Sequence, residues 1–336
     1  MYSVGLDYHQ GKSVFQVLDE NGNRIALKTV RGTVDNLIKE LSEVEKPFQV
    51  CFEASTGYGY LHDRLKGLAE RVVVGHPGKL RLIFRSKRKN DRIDAERLAK
   101  LLYLNEVPPA YVPGEDVRAW RGMIEHRGNL IQERTRTKNS LRALLRSHGI
   151  VAPRRVWTKQ GVKWLSGVSF ANRLDTIRRD NFLERLASLN RMVRDVEREL
   201  SGIGRRHPGV QLLMSIPGVG IRTAESVVAY IDNPYRFRRS KSIGNYFGLI
   251  PCEHTSADKV RMGHITRQGP GIVRKLLTEA SWQAIRRSPR IRAFFERVAN
   301  NDPQKRNIAV IATAHYLARV MLAMLKTGET WREEVA

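Results

Sequence analysis

The sequence predicts a mixed α/β domain at the N-terminus, followed by long helices and a mainly helical C-terminal region. Two observations carry that prediction. The first hundred residues alternate β-rich runs with helix-spaced segments, and three strands come first in hairpin order. Beyond "PPAYVPGED" the texture changes to long charged stretches with apolar residues at helical spacing.

"YSVGLDY" and "SVFQVLD" read as the first two strands. The Asn-Gly of "ENGN" supplies a tight turn before the third, "RIALKTV". "TVDNLIKELSEVE" has helical spacing, with Leu37, Ile38 and Leu41 on one face and Thr33 as its cap. "FQVCFEAS" is a fourth strand, "GYLHDRLKGLAE" a helix, "RVVVGH" a fifth strand and "DRIDAERLAKLLYL" a helix. This order describes a mixed sheet with helices packed on it. It is the order expected of a ribonuclease-H-like domain, although periodicity alone allows other α/β sheets.

From Asp116 to about Ser147 the chain is charged and helical, with Leu130, Leu141, Leu144 and Leu145 as apolar markers. A second such run spans Asn181 to Ile203, so the two can pair as an antiparallel coiled coil. A helical spacer is the ordinary reading, and dimerisation is a second one. In the last third, "LLMSIPGVGIRTAESVVAYI" resembles a helix–hairpin–helix. Gly218 and Gly220 would permit its tight turn and leave N–H groups to face a phosphate. The alternative is a plain turn between packed helices. The expected division is 1–112, 113–204 and 205–336.

Of 336 residues, 59 are Lys or Arg against 34 Asp or Glu, a net charge of +25 spread along the chain. Such a surplus calls for a polyanionic partner, nucleic acid before a membrane surface, since no basic amphipathic anchor stands out. Cys51 and Cys252 make neither a disulfide framework nor a cysteine zinc site. The N-terminus lacks the pattern of a signal peptide. "NIAVIATAHYLARVMLAMLK" is interrupted by His315 and Arg319 and reads as a buried helix, not a membrane span. A soluble, cytoplasmic protein is expected.

Asp7 ends the first strand and Glu53 the fourth, ends that a mixed sheet can set side by side. Asp91 and Asp94 open the helix after the fifth strand, three residues apart and so on one face. The pair also fits an N-cap with an acidic third residue, the ordinary capping box. Jointly, the four acids offer hard oxygen ligands for one or two Mg²⁺ ions, which serve phosphodiester chemistry. Lys87, Arg88, Lys89 and Arg92 surround the last two and can hold a phosphate backbone.

"VGLDYHQGKSVFQV", "CFEASTGY" and "KNDRIDAERLA" resemble the Asp-Glu-Asp-Asp blocks of the Piv/MooV-like insertion-sequence transposases. These form the insertion sequence one-hundred-and-ten family, the bridge-RNA-guided recombinases. "SIPGVGIRTAESVVAYI" and the block from "SIGNYFGLIPCEHTSADKV" onward are similar to the family's second domain, in the same order. The resemblance implies a RuvC-like domain whose quartet is Asp7, Glu53, Asp91 and Asp94, holding Mg²⁺. It also implies a serine nucleophile, which maps to Ser256. Ala257 stands where the family usually has glycine, and Thr255 directly before is the fallback nucleophile.

From the residues alone Ser256 lies in a polar loop, where a serine ordinarily faces solvent. Lys259, Arg261, His264, Arg267 and, further on, Arg274 supply cations for an attacked phosphate, or simply hold nucleic acid. His264 could serve as a general acid, though a phosphate or backbone contact is the ordinary role. The family implies strand exchange through a phosphoserine link, guided by a bridge RNA that pairs with donor and target DNA. It also implies a homo-oligomer, dimer to tetramer. The rival readings are a metal-dependent junction resolvase with Ser256 a bystander, an invertase of the Piv type, and an architectural nucleic-acid-binding protein.

Overall fold

A computed structural model of the chain describes residues 1–84, 90–256 and 259–333, without the side chains of 254–256 and 259–261. The chain divides into two compact units, Met1–Arg118 and Ala119–Ala336.

The first unit is built on β1 (Tyr2–Asp7), β2 (Gly11–Leu18), β3 (Arg24–Gly32), β4 (Phe48–Glu53) and β5 (Arg71–Gly75). They form one sheet in the order β3-β2-β1-β4-β5. The first three strands are antiparallel, whereas β1–β4 and β4–β5 are parallel. β1 lies at the centre with Ser3 to Leu6 buried, which suits its small and apolar residues. β3 forms an edge and carries Arg24, Lys28 and Arg31, the charge that discourages edge-to-edge pairing.

The helices of this unit are α1 (Val34–Ser42), α2 (Tyr58–Leu65), α3 (Pro77–Ile83) and α4 (Asp91–Tyr103). Thr33 caps α1, and Leu37 and Leu41 are its buried face, as the spacing predicts. The short α3 is not apparent in the sequence pattern. It starts on Pro77 with the His76 ring accepting from the Lys79 N–H. α4 buries Ala95, Leu98, Ala99, Leu101 and Leu102, and each buried leucine is worth about 1.5–3 kcal/mol.

In the second unit α5 (Glu115–Ser147), whose first residues belong to the first unit, and α7 (Arg173–Arg206) are the long helices. The pairs Arg127–Glu197 and Arg134–Asn190 ascend on one helix as they descend on the other, so the helices are antiparallel. Leu130, Leu189 and Val193 form the apolar seam between them. Farther along, Leu141, Leu144, Leu145 and Leu186 close a small core with α6 (Lys159–Ser166).

The remainder comprises α8 (Pro208–Met214), α9 (Ile221–Ile231), α10 (Ser242–Tyr246), α11 (Gly271–Arg287), α12 (Pro289–Ala299) and α13 (Arg306–Thr327). By length and composition α13 could cross a membrane. In the fold it is a core helix, with Val310, Ala314, Leu317 and Met321 buried. One element corrects the sequence reading. β6 (Pro251–Ser256) and β7 (Lys259–Ile265) form an antiparallel ribbon where a polar loop was expected. A ribbon held by its backbone ladder has no need of alternating apolar residues, so the pattern gave no sign of it.

Candidate metal centre

The centre begins with a glycine. Gly5 sits in the middle of β1, and a Cβ there would lie 2.1 Å from both the Ala95 carbonyl oxygen and the Ala99 nitrogen. Its absence lets the backbone of α4 rest directly on the strand. From Gly5 to Asp7 is two strand residues, about 6.6 Å. From Ala95 back to Asp91 is four helical residues, about 6 Å. The two acids therefore come level at one end of the sheet.

Glu53 joins them through the strand register. β1 and β4 pair in parallel up to Leu6 and Phe52, so Asp7 and Glu53 follow as neighbouring strand ends. Asp91 is not the helix cap. Asn90 takes that role, its side chain accepting from the Arg92 N–H at 3.0 Å. The capping-box alternative is thereby corrected: Asp91 is the first helical residue and its carboxylate is available for other partners.

The ligand atoms of Asp7, His9 and Asp91 all lie within 4.8 Å of one another. His9 Nε2 is 3.4 Å from Asp7 Oδ2, and the Asp7 side chain is largely buried. Lys12 donates from Nζ to Asp91 Oδ2 at 2.9 Å. That hydrogen bond, with the charges of Lys12 and His9, holds the Asp91 carboxyl below its usual range. Glu53 and Asp94 stand outside this close group, and the Asp94 carboxylate is 3.8 Å from Arg97. Two carboxylates and an imidazole nitrogen are a donor set that fits a divalent cation.

Sequence reasoning missed His9 and Lys12. Asp7 pairs with Val14 across the hairpin, so Lys12, two residues from Val14, shares its face of the sheet. His9, two residues past Asp7, was visible only as proximity. Beside the acids, Lys12, Arg31, Asn90 and Arg92 line an open cleft of about 600 Å³. Arg92 is thus placed at the acids, whereas Lys87, Arg88 and Lys89 lie outside the described residues.

In the second unit, Gly218 has φ +91° and packs on α11, where a Cβ would meet the Ala284 nitrogen at 2.5 Å. The positive φ and the close packing both require a glycine there, as a tight turn does. Gly220 caps α9 with open space beside it. Arg274 has a structural role that the sequence did not show. One guanidinium nitrogen donates to the carbonyls of Phe247, Gln268 and Gly269 at 3.1, 2.6 and 3.1 Å, so it pins a loop. His264 is exposed on β7, and Arg267, with φ +53°, is exposed just after it. Ser256 ends β6, its backbone paired with Lys259. The side chains of Thr255, Ser256, Lys259 and Arg261, like Ala257 entirely, lie outside the described residues.

Two transposase family models match the chain. One, of the DEDD type of IS110, covers residues 4–150, and that of the IS116/IS110/IS902 family covers residues 210–296. The first match contains all four acids and the second contains Ser256. The chain is similar to the transposase for insertion sequence element IS1111A of Coxiella burnetii, 27% identical over 346 aligned positions that cover 98% of this chain and 91% of that protein. It is 24% identical to the transposase for IS1328 of Yersinia enterocolitica, with 97% of each chain covered. To the transposase for IS1533 of Leptospira borgpetersenii it is 24% identical, with 83% of this chain and 84% of that protein covered.

Proposed function

The chain belongs to the IS110/IS116/IS902 family of DEDD transposases, and from that premise we propose that it cuts and rejoins DNA strands at a divalent-metal centre in a RuvC-like domain. It is a DNA transposase, and its acidic domain implies a divalent metal. The observation that carries the finer reading is the meeting of Asp7 and Asp91 beside a cleft lined by Lys12, Arg31 and Arg92. Acids that hold a cation and cations that hold phosphates are thus set side by side.

Asp7 and Asp91 would hold the ion, with Glu53 and Asp94 completing the set. Mg²⁺, the ion proposed, supplies charge stabilisation to the attacking and leaving oxygens of the phosphodiester. Arg31 and Arg92 hold the DNA backbone by charge, without reading bases. Ser256 is the proposed nucleophile. Its Oγ gives up a proton and forms a bond to phosphorus as the bond from phosphorus to one DNA ester oxygen breaks, and that oxygen takes up a proton and leaves as a DNA hydroxyl. Attack by another DNA hydroxyl reverses the step on a new strand, so bond energy is conserved. Donor and target DNA are the substrates, and the net charge of +25 suits a chain that also holds a structured bridge RNA. A homo-oligomer, dimer to tetramer, acting in the cytoplasm completes the reading.

The test is strand cleavage of labelled DNA carrying the element's junction, with flank-derived RNA and divalent ion. Cleavage by the parent that disappears with EDTA and in Asp91→Asn supports the reading. Cleavage that survives in Asp91→Asn removes the centre from the chemistry.

A further inference from the structure

Lys12 holds one of the two central acids before any metal arrives. Its Nζ is 2.9 Å from Asp91 Oδ2, on side chains about half and two-fifths exposed. The same ammonium lines the cleft with Arg31 and Arg92, so the lysine belongs to the acids and to the phosphate groove at once. A divalent ion on Asp91 meets a like charge at the very oxygen it needs. A lysine yields easily, being a point charge on a flexible four-carbon stem, and the open side available to it is the cleft. There it would join two arginines, an arrangement of like charges that only an anion makes favourable.

We infer that Lys12 is a displaceable counter-ion, which neutralises Asp91 in the metal-free protein and is released by the divalent ion into the cleft to bind a DNA phosphate. The inference rests on the metal reading above. It makes metal loading and DNA binding mutually reinforcing, because coupling between two ligands is reciprocal. It also has a consequence opposite to that of an ordinary site residue: removing Lys12 strengthens metal binding. An exposed ion pair of this kind is worth about 0.2–1 kcal/mol, so the gain in metal affinity is at most about fivefold.

The experiment measures Mn²⁺ affinity by the loss of the free-ion electron paramagnetic resonance signal, in the full chain without DNA. Affinity for a short duplex DNA is measured with and without Ca²⁺. Lys12→Met is expected to bind Mn²⁺ up to about fivefold more tightly and to show a smaller gain in DNA affinity from Ca²⁺ than the parent. Arg31→Met removes an equal charge from the cleft without touching Asp91. It is expected to leave Mn²⁺ affinity unchanged and weaken DNA binding with or without Ca²⁺. Unchanged or weaker Mn²⁺ binding in Lys12→Met overturns the inference, as does equal tightening in Arg31→Met. A Ca²⁺ gain in Lys12→Met as large as the parent's overturns the coupling. Mn²⁺ binding that persists at full strength in Asp91→Asn instead overturns the metal reading itself.

Discussion

Replacing Gly5 with alanine adds one methyl group to the strand on which the centre is aligned. That carbon would lie 2.1 Å from the Ala95 oxygen and from the Ala99 nitrogen, where ordinary contact begins near 3.4 Å. Both neighbours are backbone atoms, so no side chain can swing aside, and α4 must retreat by about 1.3 Å. Alanine returns about 0.5–1 kcal/mol of strand preference. Overpacking costs about 1–3 kcal/mol, and the retreat loosens Leu98, Leu101 and Leu102, each worth about 1.5–3 kcal/mol when fully buried. The net expectation is a loss of about 1–3 kcal/mol, or a melting temperature lower by about 5–15 °C. The retreat also carries Asp91 away from Asp7, so Mn²⁺ affinity should fall as its two carboxylate ligands separate. Thermal unfolding by circular dichroism followed by Mn²⁺ titration reads both effects, with Gly67→Ala as control because nothing lies within 4 Å of its added carbon. A Gly5→Ala protein with the parent's melting temperature and Mn²⁺ affinity would refute the alignment argument.

Asp91→Asn should lower Mn²⁺ affinity at least about tenfold while barely moving the melting temperature, since its ion pair with Lys12 is exposed. A large drop in stability instead would show Asp91 to be structural. Arg274→Met should cost about 0.5–1.5 kcal/mol by removing a donor from carbonyls that water can partly reach. The salt dependence of DNA binding should not change, and a shallower slope would place Arg274 at the interface. Glu225 is buried on α9, and burial pushes its carboxyl up to about 7 although Arg222 at 2.8 Å pulls it back. The folded state then keeps a proton that the unfolded state, near 4.5, gives up. Stability of the second unit should therefore fall as pH rises from about 4.5 to 7, by at most about 3 kcal/mol. Glu225→Gln should flatten that slope, and calorimetry at pH 5 and 7.5 that finds stability rising in the parent contradicts it.

The first unit was readable because its strands are short, bounded and joined by turn residues with one meaning. Asn21-Gly22 is such a turn, with Gly22 at φ +82°. Once five strands and their order are known, the ends that bear Asp7 and Glu53 must be neighbours, so those acids were legible without any contact in view. Details set by competition between adjacent residues were not. Asn90 and Asp91 both suit a cap, and only the backbone shows that Asn90 takes it. The start of α7 at Arg173, eight residues before the charged run at Asn181, follows from a cap by Asn172, which accepts from the Leu174 N–H at 2.8 Å. His9, Lys12 and the carbonyls held by Arg274 depend on contacts across a hairpin or a loop, which no local pattern encodes.

The most direct test of the account is a search for protein joined to DNA. Purified chain, flank-derived RNA, Mg²⁺ and end-labelled junction DNA would be resolved on a denaturing gel beside Ser256→Ala and Asp91→Asn. The account predicts a slow-migrating, protease-sensitive band in the parent alone. Cleaved DNA without that band, made equally by Ser256→Ala and lost in Asp91→Asn, would contradict it and leave a metal nuclease that uses water.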